Sequence, residues 1–159
     1  MNGVSDTAFD PSGTLSRAMI VTILWRMEGS PVVNYAMSFA DVAADQWYTE
    51  AIRWAQSTKV VSGYDADTFA PNSNVTREQL ATILYRYADF KGIDVSQRAD
   101  LSRFEDAGSI SDWAAKSIQW ANAVGIINGR TDTTIAPTGN ATRAEAASMM
   151  QRFCENVVK

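Results

Sequence analysis

GYDADTFAPNSNVTREQ, residues 63–79, lies without a gap over GVSDTAFDPSGTLSRAM, residues 3–19, and over GRTDTTIAPTGNATRAE, residues 129–145. Gly3, Gly63 and Gly129 correspond, as do Phe9, Phe69 and Ile135, then Pro11, Pro71 and Pro137, then Arg17, Arg77 and Arg143. A second block precedes only the later two copies: FADVAADQWYTEAIRWAQSTKVVSG from Phe39 and FEDAGSISDWAAKSIQWANAVGIING from Phe104. It pairs Asp41 with Asp106, Trp47 with Trp113, Ile52 with Ile118 and Trp54 with Trp120. Self-similarity at this period marks a repeat protein whose units share one core. The chain holds about two and a half copies, the first lacking its opening block.

Each full copy reads as helix, glycine-marked loop, helix. In the opening block, Trp47, Ala51, Ile52 and Ala55, and again Trp113, Ser117, Ile118 and Ala121, recur at helical spacing and predict one apolar face. The glycines that follow sit where a left-handed turn is expected to end the helix. The second helices carry core faces at Ile20, Ile23, Leu24 and Met27, at Leu80, Ile83, Leu84 and Tyr87, and at Ala146, Met149, Met150 and Phe153. The stretches GSPVVNYAMS and KGIDVSQRADLSR read as connectors, with room for a strand in either. The expectation is an all-α fold of tandem helix-loop-helix repeats packed around a common axis. Residues 1–34 form the partial first copy, 35–95 the second and 96–159 the third, together one compact structural unit.

Composition narrows the chemistry. The 159 residues are 46% apolar, enough for a core, and carry a net charge of -4, which gives no reason to expect nucleic acid. There is no histidine, so the commonest general base and zinc ligand is missing. Catalysis would rest on carboxylates, and no acidic pair recurs outside positions with capping or pairing roles. Cys154 is alone and reads as a half-buried filler on the last helix. Asp65 and Asp67 alternate like a calcium loop, but Ala70 and Thr76 stand where its glycine and glutamate belong, so no metal is expected. No cofactor is indicated. No stretch is apolar and long enough to span a membrane, and an export signal, if any, is expected upstream in a longer precursor.

The repeated arginine stands at the first position of each second helix, facing the positive end of the dipole, at a cost of about 0.3–1 kcal/mol. Thr142 with Glu145 predicts a capping box; Thr76 with Gln79 keeps one, and Ser16 with Met19 does not. A helix N-terminus with free N–H groups and a guanidinium fork suits a carboxylate. Pairing with a protein acid such as Asp41 or Asp106 serves the residue types equally well. Those two acids are also placed to cap the first helices. Trp47 and Trp113 can pack in the core or offer a flat apolar face to a ligand. Gly63 and Gly129 fit backbone geometry or close ligand approach, with Ser62 and Asn128 beside them.

Together the F-x-D-V start with its downstream tryptophan, the A-I-x-W-A helix, the glycine loop with F-x-P, and T-R-A-E at Thr142 to Glu145 resemble the S-layer homology family across essentially the whole chain. The resemblance implies a non-enzymatic module whose repeats pack around a pseudo-threefold axis, outside the cell, at a bacterial cell wall or S-layer. It implies binding to secondary cell-wall polysaccharide, often pyruvylated, in grooves between repeats. Arg17, Arg77 and Arg143 would then meet the ligand carboxylate, with Trp47, Trp113, Asp41, Asp106, Gly63, Gly129, Ser62 and Asn128 around it. A helical scaffold for protein partners or self-assembly is the alternative. The truncated first copy motivates it: Ile20, Ile23, Leu24 and Met27 would lack a partner helix, which a homo-oligomer would supply.

Overall fold

A computed structural model describes all residues, Met1–Lys159. It contains five α-helices: α1 (Arg17–Met27), α2 (Thr49–Thr58), α3 (Arg77–Phe90), α4 (Ala115–Ala123) and α5 (Arg143–Phe153). Short 3-10 turns at Ala107–Ser109 and Asp112–Ala114 lead into α4, and a π-helical turn, Cys154–Val158, follows α5. There are no strands; the connectors are irregular, and only isolated bridges pair extended residues.

The chain forms two compact units. The first spans Leu15–Asn74, where α1 packs along α2. Its core holds Leu15, Ile20, Leu24, Ile52 and Phe69, none of them measurably exposed. Ser16 pairs with Asn74 in a bridge, and the Ser16 hydroxyl accepts from Met19 N to cap α1. The expected open face of α1 is therefore a correction. Ile20 and Leu24 are covered, Ile23 is half-buried, and only Met27 at the helix end is exposed.

The second unit comprises Asn2–Thr14 and Val75–Lys159. Here α3 packs along α4, with Tyr85 edge-on to Trp120 at 5.5 Å, and Phe153 of α5 meets Tyr87. Both capping boxes form: Thr76 with Gln79 and Thr142 with Glu145. Bridges join Thr14 to Thr142 and Thr76 to Asn140.

In both units the packed pair is the second helix of one copy and the first helix of the next. The helix that lacks such a partner is consequently α5. Ala18 and Thr22 on α1, and Glu78 and Thr82 on α3, are buried, whereas their counterparts Ala144 and Ser148 on α5 are exposed. Cys154, expected to be half-buried, is exposed for the same reason.

Two further expectations are corrected. Trp47 and Trp113 precede their helices and are 56% and 57% exposed, so neither belongs to the apolar face of α2 or α4. Trp54 and Trp120 do. Gly63 and Gly129 are not left-handed; Lys59 (φ 60°) ends α2 and Gly125 (φ 77°) follows α4 in that conformation. What the loop glycines supply is space. A Cβ on Gly63 would lie 2.4 Å from the Phe39 ring, and one on Gly129 1.9 Å from the Thr131 carbonyl oxygen.

Candidate functional site

The three motif arginines are buried, and each grips the loop of another copy with the same two atoms. Arg17 Nε donates to Phe69 O (2.8 Å) and Nη2 to Ser62 O (2.6 Å). Arg77 repeats this with Ile135 O (2.8 Å) and Asn128 O (3.1 Å), and Arg143 with Phe9 O (2.9 Å) and Asn2 O (2.6 Å). Ser62 and Asn128 thus contribute main-chain carbonyls. A guanidinium is suited to this because its planar fork reaches two acceptors without losing its charge. Burial lowers the pKa of Arg17 and Arg77; nearby Asp41 and Tyr64 oppose the shift at Arg17, and Glu145 opposes it at Arg77.

The helix N-termini are not the free receptors expected from sequence. Arg17 N and Ala18 N donate to Ser73 O and Pro71 O, Arg77 N and Glu78 N to Gly139 O and Pro137 O, and Arg143 N and Ala144 N to Gly13 O and Pro11 O. The cap hydroxyls take the next N–H in each helix. The recurrent proline thus marks a carbonyl that finishes a helix, and no N–H of the first turn is left over for an anion.

Asp41 and Asp106 cap no helix and make no direct ion pair with a motif arginine. The Asp41 carboxylate accepts from Phe69 N (2.9 Å) and Ala70 N (2.7 Å); Asp106 accepts from Ile135 N and Ala136 N, both at 2.8 Å. Ala70 and Ala136 have φ of 58° and 50°, a region costly for a residue with a Cβ. Each carboxylate holds this strained turn so that the carbonyls on either side face the arginine and the helix end. The first copy has no such acid, and Asp10 takes the same conformation at φ 52°. Asp65 is likewise spent locally, accepting from Asp67 N and Thr68 N.

Around this common frame the copies differ. The Arg17 guanidinium lies over the rings of Tyr64 (4.5 Å) and Phe69 (4.6 Å), and that of Arg143 over Phe9 (4.8 Å). Arg77 instead meets charge. Its Nη1 is 3.2 Å from Glu145 Oε1, and Arg130 forms a two-pronged pair with Glu145, 2.9 Å at each contact. These residues line a groove of about 280 Å³ with Asn128, Ser148 and Arg152. Two guanidiniums, those of Arg77 and Arg130, share one carboxylate there and Arg152 adds a third cation to the lining, so the groove is cationic although the chain is acidic. The hydrogen bonds with Glu145 raise the Arg130 pKa. Neither Trp47 nor Trp113 lines it.

Arg130 and Arg152 were missed in the sequence because they break the repeat or lie outside its motif. Arg130 stands where the other copies have Val4 and Tyr64, and that substitution of a cation for an apolar or aromatic residue was the available signal. A second depression, about 460 Å³, is lined by Ser38, Gln56, Lys59, Ser62, Asp65 and Asp67 among others; its two acids and one cation do not favour an anion.

Comparison with known proteins agrees with the repeat. The S-layer homology domain matches residues 38–81 and 103–147. The chain is 34% identical over 99% of its length to the surface-layer 125 kDa protein of Lysinibacillus sphaericus, covering 13% of that protein. It is 28% identical over 98% of its length to a cellulosome-anchoring protein of Acetivibrio thermocellus, covering 35% of it. With an amylopullulanase of Thermoanaerobacterium thermosulfurigenes the identity is 33% over 98% of the chain, but only 8% of the enzyme is aligned. The chain thus spans a minor part of each of these relatives. Through the two matched copies, at the spacing its own repeat defines, this chain belongs to the S-layer homology domain family.

Proposed function

We propose that the chain is a non-catalytic anchoring module that fastens the protein carrying it to a bacterial cell wall, outside the cell, by binding an acidic secondary cell-wall polysaccharide. The observation that carries this reading is the groove lined by Arg77, Arg130 and Arg152, whose one carboxylate, Glu145, is held by the first two. A sugar bearing a pyruvate ketal offers a planar carboxylate for the Arg130 fork and hydroxyls for Asn128 and Ser148. Arg77, fixed by its two carbonyl partners, supplies buried charge at the floor. Arg17 and Arg143 hold the equivalent places under aromatic covers. Trp47 and Trp113 present open ring faces to further sugars of the same polymer. The relatives named for surface layers and anchoring agree with this assignment.

The test is retention of the chain on purified polymer before and after removal of ketal-linked pyruvate. An R130Q/R152Q variant keeps the buried Arg77 grip and is expected to lose at least about tenfold in affinity. Equal retention of wild type and variant, or indifference to the ketal, sinks the reading. The scaffold alternative rests on the exposed face of α5 rather than on α1, and light scattering that shows a monomer counts against self-association.

A further inference from the structure

The third residue of each second helix is Met19, Gln79 and Glu145 in the three copies. Capping explains only part of Glu145. At α3 the Gln79 amide oxygen alone accepts from Thr76 N, at 3.0 Å, and completes the box. At α5 Glu145 Oε2 does this for Thr142 N at 2.9 Å, and the same oxygen also takes Arg130 Nη2 at 2.9 Å. Its Oε1 is surplus to the cap and lies between Arg130 Nε (2.9 Å) and Arg77 Nη1 (3.2 Å). The two parallel bonds to Arg130 have the geometry by which an arginine receives any carboxylate.

We propose that Glu145 is an internal competitor for the cationic groove: it occupies the Arg130 fork and the free edge of Arg77, and an incoming sugar carboxylate must displace it from Arg130. The inference rests on reading the groove as an acidic-glycan site. Exchange of one two-pronged pair for another yields little net gain, so Glu145 holds the affinity down and narrows the preference for anionic over neutral sugars. The cap is preserved throughout, because Oε2 stays on Thr142 N while the side chain turns away from Arg130. The opposite role, in which Glu145 positions Arg130 for the ligand, predicts the opposite effect of removing its charge.

The probes are a methyl hexosaminide carrying a 4,6-pyruvate ketal and the methyl ester of the same compound, titrated by calorimetry into the full chain. E145Q reproduces the cap found at Gln79 and is expected to bind the acid about five- to tenfold tighter than wild type, with the ester unchanged. E145M, which copies Met19 above the Ser16 cap, serves as a second variant and should move the same way. If wild type binds the acid and both variants bind it equally or more weakly, Glu145 is no competitor and the groove reading stands. If neither wild type nor variants distinguish acid from ester, the groove reading and this inference both fall.

Discussion

Arg77 donates to Asn128 O and Ile135 O from a site only 4% exposed, so truncation would leave two loop carbonyls without their donor. Arg77→Ala is expected to lower unfolding free energy by about 3 kcal/mol in urea titrations, and Arg77→Lys to recover only part, since an ammonium cannot span both acceptors. A loss below about 1 kcal/mol would show that the grip contributes little. Glu145 gives a separate signature. Burial pushes its carboxyl up, but hydrogen bonds from Arg130 and Thr142 N and the charges of Arg77 and Arg130 outweigh this, leaving it below its usual value of 4.5. Because the folded pKa is depressed, the stabilisation is complete above about pH 4.5 and is lost as pH falls through the lower folded value. E145Q should therefore flatten the acid limb of a stability profile taken from pH 5 to pH 2. An unchanged limb would place the acid sensitivity elsewhere.

At the scale of elements, the loops before α3 and α5 depend on a carboxylate from the preceding helical block and on an alanine held at positive φ. Asp106→Ala removes two acceptors from Ile135 N and Ala136 N and is expected to cost about 2 kcal/mol. Ala136→Gly relieves the strained φ of 50° and is expected to gain about 0.5–1 kcal/mol, since glycine adopts that region freely but has more entropy to lose. Thermal melts of the two single variants check both signs. The helices themselves were legible: 3.6-residue spacing located all five, and S/T-x-x-E/Q marked the two capping boxes. The loops were not, because Asp41 and Asp106 act on backbone N–H groups nearly thirty residues away, and no local pattern records that. The glycines were legible as necessary but not for their reason, since close approach of Thr131 O to Gly129 is a product of the folded loop. Trp47 and Trp113 misled because their spacing continues the helical period one step beyond where α2 and α4 begin.

For the molecule as a whole, a net charge of -4 sets a weakly repulsive field around a locally cationic groove. On the proposed function, a polyanion would be drawn in over short distance only, within roughly the 8 Å Debye length of physiological salt. Retention on the polymer is expected to fall when sodium chloride rises from about 0.05 to 0.5 M, though buried Arg77 should preserve part of it. Retention that rises with salt would point to apolar contacts, such as those of the exposed tryptophans. The identity of the copies made the three arginine positions visible in the sequence, whereas the differences at residues 130 and 145 make one of the grooves charged, and averaging over copies hides them. The grip of Arg143 on Asn2 and Phe9 has a consequence for how such a chain can grow or be shortened. In an open array, the last copy keeps its binding edge for whatever is appended next. Here that edge is already spent on residues more than 130 positions upstream, so a further copy grafted after Lys159 would find no arginine to receive its loop. Clipping the first dozen residues, by contrast, would unfasten the last helix.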